Sequence, residues 1–101
     1  MKFYLYGFKN RLLGQFDRPV AELVEPKDYE SNISMGLASA DVAALSRTKE
    51  FDVYCLGEFD VKSGEVKTCC DFVCSLEPIC LKILEHRETK NVGDSEVKES
   101  A

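Results

Sequence analysis

The clearest pattern along the chain is an alternation of apolar and mainly polar positions over residues 51–72. In its first half the alternating set is Phe51, Val53, Cys55, Gly57 and Phe59. A period of two is typical of a β-strand with one buried face. Gly64 can adopt the positive φ that a tight turn requires, and the alternation resumes from Glu65. The sequence therefore predicts a β-hairpin with strands at 51–59 and 65–75.

The amino-terminal segment predicts two further strands. Residues 3–8 are apolar or aromatic at both odd and even positions, which is typical of a strand in the middle of a sheet. Lys9 to Arg11 is polar and can turn, so residues 13–19 can return as a second strand. Because Pro19 has no N–H to donate to a ladder, that strand should end there or lie on an edge.

The middle of the chain has a helical period. Pro26 favours a helix start, and Tyr29, Ile33 and Leu37 recur every four residues. Gly36 weakens a continuous helix, and Ser39 can cap a second one that would bury Leu45 along with Val42. We expect one interrupted helix or two short ones over residues 26–47.

A last helix of about a dozen residues is predicted to begin at Glu77–Pro78, with Ile79 and Ile83 on one face. Beyond it the chain is polar, which predicts a disordered tail over 88–101. The expected fold is α+β: a mainly antiparallel four-stranded sheet with helices packed on one face, forming a single domain over residues 1–87.

Composition narrows the function classes. The net charge of −5 over 101 residues argues against a protein that coats nucleic acid by charge alone. There is no apolar run typical of a membrane span or of a signal peptide, so we expect a soluble protein without membrane contact. Five cysteines are an odd number, which favours free thiols in a reducing cytoplasm.

The cysteines and the single histidine are the candidate reactive groups. A metal site could draw on Cys69, Cys70, Cys74, Cys80 and His86. On an extended strand, however, Cys70 and Cys74 would lie roughly 13 Å apart, too far to share one ion. Buried thiols are the favoured alternative. His86 falls near the end of a short helix, a poor platform for a general base. We expect no catalytic residue, metal or cofactor.

A nucleic-acid interface is a further candidate at the amino terminus, where residues 1–20 have a net charge of +3. Aromatic rings on a sheet can stack on unpaired bases while cations contact phosphates. The candidate residues are Lys2, Tyr4, Tyr6, Lys9 and Arg11. The alternative is that the rings belong to the core and that Lys9 and Arg11 form a solvated turn.

The hairpin also resembles a known family. Its sequence FDVYCLGEFDVKSGEV is similar to the form FDLYxLGxFDxxTGxF in the small non-structural protein of gokushoviruses, which are microvirus phages with circular single-stranded DNA. The opening MKFYLYGFKNRLLGQFDRP is similar to the opening of the same family, so the resemblance covers about residues 1–20 and 50–66. The motif positions are Phe51, Asp52, Tyr54, Leu56, Gly57, Phe59, Asp60 and Gly64.

The resemblance implies an early, non-virion protein in the cytoplasm of an infected bacterium. Such a protein would act without catalysis in viral single-stranded DNA replication or genome synthesis, by binding DNA or replication and assembly proteins. The family supplies no catalytic residues. The alternative function is a protein-interaction module or homodimer acting on a host factor without nucleic-acid binding, which would pair through a sheet edge or an apolar patch.

Overall fold

A computed structural model describes residues 1–88 with their side chains and residues 89–100 by backbone alone. Its centre is an antiparallel sheet, and this confirms the α+β class. The strands are β1 (Lys2–Asn10), β2 (Gln15–Phe16), β3 (Val20–Glu22), β4 (Phe51–Asp60) and β5 (Val66–Ser75). Their order is β2-β1-β4-β5, and β3 pairs with β1 on the same side as β2.

The predicted hairpin and the central position of the first strand are both confirmed. Strands β4 and β5 pair from Phe59 with Val66 to Asp52 with Ser75. Strand β1 lies between β4 on one side and β2 with β3 on the other. It is therefore paired along both edges, as its apolar pattern on both faces predicted.

The single strand predicted over 13–19 is wrong, because two short strands occupy that region and its surroundings. The ladder beside β1 continues as far as Asp17, whose N–H donates to the carbonyl of Phe8 at 2.8 Å. Pro19 has no N–H, and the pairing resumes only at Val20 opposite Tyr6. Proline therefore separates β2 from β3, and the sheet has five strands instead of the expected four.

Two helices follow in the middle of the chain, α1 (Pro26–Leu37) and α2 (Val42–Thr48), as one of the two expected arrangements. Asp41, and not Ser39, caps α2 by accepting the Ala44 N–H at 2.7 Å. Leu45 is buried as predicted, whereas Val42 is exposed. The cap thus lies two residues later than the sequence suggested.

The last helix, α3, is assigned to Leu76–Ser100 and begins next to the predicted Glu77–Pro78 start. The predicted tail over 88–101 lies, apart from Glu88, outside the residues described with side chains, and it stays a prediction. None of the helices in the described part of the chain is long and apolar enough to cross a bilayer.

The core fills the space between the helices and one face of the sheet. Tyr6 from β1, Tyr29 from α1 and Val53 from β4 are almost fully buried there, together with Leu76 at the start of α3. Tyr4, Phe8, Cys55 and Cys74 complete the sheet side of this core. We call this the helix-side face of the sheet.

Bulges change which face some residues occupy. Leu56 is an extra residue on β4, because Leu5 pairs with Gly57 while Tyr6 pairs with Cys55. The alternation that places Val53 and Cys55 on the helix-side face is therefore reset before Phe59. Strand β5 has two further register shifts, opposite Val53/Tyr54 and Cys55/Gly57 of β4.

Candidate functional site: an open apolar face of the sheet

The face of the sheet opposite the helices is apolar and largely exposed to solvent. Leu5, Phe16, Phe59, Val66 and Phe72 keep between 37% and 64% of their surface accessible. The register places Phe3, Tyr54 and the bulged Leu56 among them. We call this surface the open face. An apolar patch of several large side chains is unusual on a soluble monomer and indicates a contact surface.

A row of aromatic rings crosses the middle of the open face. The ring of Tyr54 on β4 lies between those of Phe16 and Phe72, with edge-to-face contacts and centroid separations of 5.6 Å on both sides. Gly7 makes room for the row, because a Cβ there would lie 2.9 Å from the Phe16 ring and 2.6 Å from Leu56. The Lys9 ammonium lies 5.7 Å from the Phe16 ring centroid, within reach of a cation–π contact.

Beside the aromatic row, towards the β4–β5 turn, the open face has a groove of about 420 Å³. Gly57 is one of its lining residues, and a Cβ there would come within 2.7 Å of the Lys67 carbonyl oxygen of β5. Its apolar lining comes from Phe3, Leu5, Ala21, Leu56, Phe59 and Val66. The groove is large enough to accept two or three aliphatic side chains.

At the end of β1 opposite the groove, the β1–β2 turn exposes two leucines. Leu12 and Leu13 are 78% and 71% accessible. The Asn10 side-chain oxygen accepts both of their N–H groups, at 2.9 and 3.0 Å, and Gly14 closes the turn with a φ of 68°. We call this the leucine turn. Its backbone is well hydrogen-bonded, although its two leucine side chains are exposed.

The turn between β4 and β5 is built in the same way. The Asp60 side-chain oxygen accepts the N–H groups of Lys62 and Ser63, and Gly64 has a φ of 74° as the hairpin motif predicted. These two N–H groups hold the pKa of Asp60 below its usual value. Lys62 and Ser63 therefore occupy the places that the two leucines occupy in the leucine turn.

The tyrosines proposed for base stacking lie on the helix-side face. Tyr4 and Tyr6 keep only 9% and 0% of their surface accessible, so their rings belong to the core, as in the alternative interpretation of the sequence. Burial raises the pKa of Tyr6 far above its usual range, and the nearby Cys55 and Glu22 make smaller contributions in the same direction. Neither ring is available to a ligand on the surface.

The cations proposed to accompany them are dispersed. Lys2 lies 3.5 Å from Glu58, and Lys9 lies over Phe16 on the open face. Arg11 is the centre of a polar cluster, with Asp52 at 3.1 Å and Glu77 at 2.9 Å. Only Lys9 among the three therefore lies beside an exposed ring.

The cysteines are free thiols, and three of the five, Cys55, Cys74 and Cys80, are buried. The Cys69 sulfur lies 3.9 Å from that of Cys55. Burial, with a smaller contribution from this neighbour, raises the pKa of Cys69 to about 11. In the part of the chain that the structure describes, no three His, Cys, Asp or Glu side chains are grouped as metal ligands. His86 is exposed on α3.

Some motif residues of the hairpin form its turn, an ion pair or part of the core, and the others lie on the open face. Gly64 and Asp60 form the turn, and Asp52 pairs with Arg11. Phe51 packs against the core. The remaining positions, Tyr54, Leu56, Gly57 and Phe59, all contribute to the open face.

The centre of the open face consists of aromatic rings and aliphatic groups. Sequence reasoning identified Tyr54 and Phe59 as motif residues but missed Phe16 and Phe72 as surface residues. The signal that could have found them is the apolar or aromatic character of both faces of β1, since helices that cover one face of the sheet leave the other exposed. Comparison of the chain with protein-family models, with curated proteins and with solved structures gives no match.

Proposed function

We propose that this chain is a non-enzymatic binding protein that uses the open face to engage a protein partner. In keeping with the resemblance of its hairpin to the gokushovirus non-structural protein, its role would be that of an accessory factor in phage single-stranded DNA synthesis in the host cytoplasm. The observation that supports this best is the exposed apolar centre of the open face.

The energetic argument rests on water-accessible apolar area. Burying apolar surface is favourable by about 25 cal/mol per Å². Phe72, which keeps 59% of its surface accessible, pairs with Tyr54, and Val66, which keeps 64%, pairs with Phe59 further along the same two strands. A partner that covers them would gain from every one of these side chains at once.

The charge distribution favours protein over nucleic acid as that partner. Binding to a phosphate backbone requires several cations that can release counterions. On the open face Lys9 stands beside the aromatic row, while Arg11 is already paired with Asp52 and Glu77. With a net charge of −5, the chain offers little long-range attraction for DNA.

A complementation experiment tests this function. Bacteria that express the chain in trans would be infected with a phage whose own copy of the gene is deleted, and the ratio of single-stranded genome to double-stranded replicative DNA would be measured. Phe72→Asp places a charge in the open face, at a position exposed enough to leave folding intact. We expect this variant to lower the ratio by tenfold or more.

The matched control is Met35→Asp on α1, because Met35 is also a large apolar residue and is 72% accessible. It should support DNA synthesis as well as the unmodified chain. Circular dichroism would establish that both variants are folded. Equal activity of Phe72→Asp and the unmodified chain would contradict a role for the open face.

A second candidate function is single-stranded nucleic-acid binding on the same face. It is favoured by one observation, the exposed row of Phe16, Tyr54 and Phe72 with Lys9 beside it. An antiparallel sheet with helices on one face and rings on the other is the arrangement in which RRM-type domains stack bases.

This candidate predicts that a single-stranded oligonucleotide binds, and that binding weakens with salt only slightly because few phosphates are contacted. Fluorescence anisotropy with labelled DNA would measure both. Phe16→Ala should weaken binding by about tenfold, since stacking contributes about 1–3 kcal/mol per base. If the anisotropy of the labelled DNA did not rise at low salt, this function would be eliminated.

A further inference from the structure

We infer that the partner of the open face is a second copy of this chain, packed face to face about a two-fold axis. The inference rests on the proposed function, since it names the occupant of the same surface. It follows from the positions of an apolar groove at the start of β1 and of two exposed leucines after its end.

The geometry is set by strand β1. The groove lies at the start of this strand, beside Phe3 and Leu5, and the leucine turn follows its end at Asn10. At about 3.3 Å per residue the two features are roughly 25 Å apart. We place the two-fold axis in the plane between the two faces, perpendicular to the strands and level with Gly7. The strands of one copy then run opposite to those of the other. The leucine turn of each copy then lies at the groove of the other.

The centre of such an interface would be aromatic. Gly7, Tyr54 and Phe72 are in register across β1, β4 and β5, so the aromatic row lies at the level of the axis. Each row would pack on its symmetry mate in the middle of the contact. Buried aromatic side chains near the centre are where interfaces gain most of their binding energy.

The available area matches that of a stable interface. The apolar side chains on the open face and the leucine turn that expose more than a third of their surface are Leu5, Leu12, Leu13, Phe16, Phe59, Val66 and Phe72. At roughly 100 Å² each they offer roughly 700 Å² per copy. A standard protein–protein interface buries about 800 Å² per partner.

The strand edges are less suitable for pairing two copies than the face. The outer edge of β5 is interrupted by two register shifts, and the opposite edge of the sheet consists of the short strands β2 and β3. Bulged and short edges are the usual protection against edge-to-edge pairing. We therefore place the contact on the open face, which is an apolar patch, and not on a sheet edge, the other of the two possibilities that the sequence offered.

The first experiment measures mass in solution. Sedimentation equilibrium from low micromolar to millimolar protein should show a species of twice the 11.4 kDa chain mass. The key variant combines Leu12→Lys with Leu13→Ser, which gives the leucine turn the side chains that the equivalent places of the β4–β5 turn already have. We expect the dimer dissociation constant to rise at least tenfold.

Because the Asp60–Gly64 turn closes with Lys62 and Ser63, the double variant should keep its native turn geometry. Its thermal unfolding, measured at a concentration where the unmodified chain is monomeric, should be unchanged. Met35→Asp is again the control and should dimerise normally. Dimerisation by the double variant as strong as that of the unmodified chain would overturn the arrangement.

A crosslinking experiment tests the symmetry. In a background with the exposed Cys70 replaced by serine, Leu13→Cys would be mixed with Phe59→Cys and oxidised in air. The two-fold arrangement predicts disulfide-linked mixed dimers. It predicts no crosslink in Leu13→Cys alone, because the two leucine turns lie at opposite ends of the dimer. Crosslinking of Leu13→Cys with itself would contradict the axis.

The two proposals can fail separately. A chain that remains monomeric at millimolar concentration is not a face-to-face dimer, and the inference would then be wrong. If Phe72→Asp still abolished viral DNA synthesis in that case, the open face would serve a different protein. If the dimer formed but Phe72→Asp left DNA synthesis intact, self-pairing would stand without the proposed function.

Discussion

The ring of Tyr6 on β1 stacks on the ring of Tyr29 on α1, with centroids 3.7 Å apart and planes inclined by 3°. The Tyr6 hydroxyl donates to the Val24 carbonyl oxygen at 2.5 Å, just before the helix begins. This pair joins α1 to the helix-side face of the sheet. The opposite face remains available for a partner.

Removal of either ring of the Tyr6–Tyr29 pair should be among the most destabilising substitutions in the chain. We expect Tyr29→Ala to lower the free energy of unfolding by about 3–5 kcal/mol, because it removes a ring that keeps only 2% of its surface accessible. Tyr29→Phe keeps the ring and should cost about 1 kcal/mol. Urea denaturation followed by circular dichroism measures both. Equal losses would mean that the hydroxyl, and not the stacked ring, is the important group.

Arg11 is expected to stabilise the fold. Its guanidinium contacts Asp52, Glu77, the Ser75 hydroxyl at 2.7 Å and the Lys49 carbonyl oxygen. Since the group is partly exposed, we expect Arg11→Ala to cost only about 1–2 kcal/mol in denaturant titrations at low salt.

The electrostatic part of the Arg11 contribution should fall as salt screens it. Arg18 provides the control, because it is exposed and makes no ion pair among the residues that the structure describes. Arg18→Ala should change stability by less than about 0.5 kcal/mol. A similar effect of both substitutions would argue against the Arg11 cluster.

Two glycines should respond to alanine in opposite directions. At Gly57 a Cβ would lie 2.7 Å from the backbone carbonyl of Lys67, so β4 and β5 would have to separate. We expect Gly57→Ala to destabilise the chain by about 1–3 kcal/mol. At Gly36 in α1 a Cβ meets nothing within 4 Å. Gly36→Ala should stabilise by up to about 1 kcal/mol. Thermal melts of the two variants provide the comparison, and a shift of both in one direction would contradict it.

Thiol reactivity should distinguish Cys70 from the other cysteines. Cys70 is exposed, whereas Cys55, Cys74 and Cys80 are buried. A disulfide reagent such as DTNB should modify one thiol rapidly in the folded chain and all five after denaturation. Cys70→Ser should remove the fast phase. A fast phase that persists in this variant would show that another thiol is accessible.

Stability should decrease in alkaline solution. Burial, with smaller contributions from Glu30 and Asp52, raises the pKa of Cys74 from 9.0 to about 11. A group whose pKa is raised by folding stabilises the folded chain below its unfolded pKa, and this contribution is lost as pH rises through the folded value. The free energy of unfolding should therefore fall between pH 9.0 and about 11.

Burial also raises the pKa of Tyr6 and Tyr29 from 10.0, so the decline should become steeper above that pH. Denaturant titrations over this range measure the slope. Cys74→Ala should reduce the fall that begins near pH 9.0 without affecting the tyrosine part. A slope that is unchanged in Cys74→Ala would exclude this thiol as its source.

The hairpin and the helical stripe could be predicted because single residues determine them locally. The alternation through Phe51 and Val53, the turn at Gly64 and the four-residue spacing of Tyr29 and Ile33 each depend on neighbours in the sequence. The cap at Asp41 was missed because Ser39 offers the same chemistry two residues earlier, and only the backbone path decides between them.

The location of the candidate site could not be predicted for a different reason. Strand β1 is apolar on both faces, so its pattern does not indicate which face the helices cover. The extra residue at Leu56 then moves Phe59 to the open face, against the alternation of the first half of β4. Both facts depend on contacts between distant segments, and the exposed row of Phe16 and Phe72 follows from them.

The two register shifts in β5 also limit how the chain can grow into larger assemblies. A regular outer strand would let copies add one after another into a fibre, whereas the irregular edge offers no continuous template. The proposed face-to-face dimer would instead bury the exposed apolar surface of both copies in one closed contact. Concentrated solutions should accordingly contain finite particles that stay clear, and not a gel.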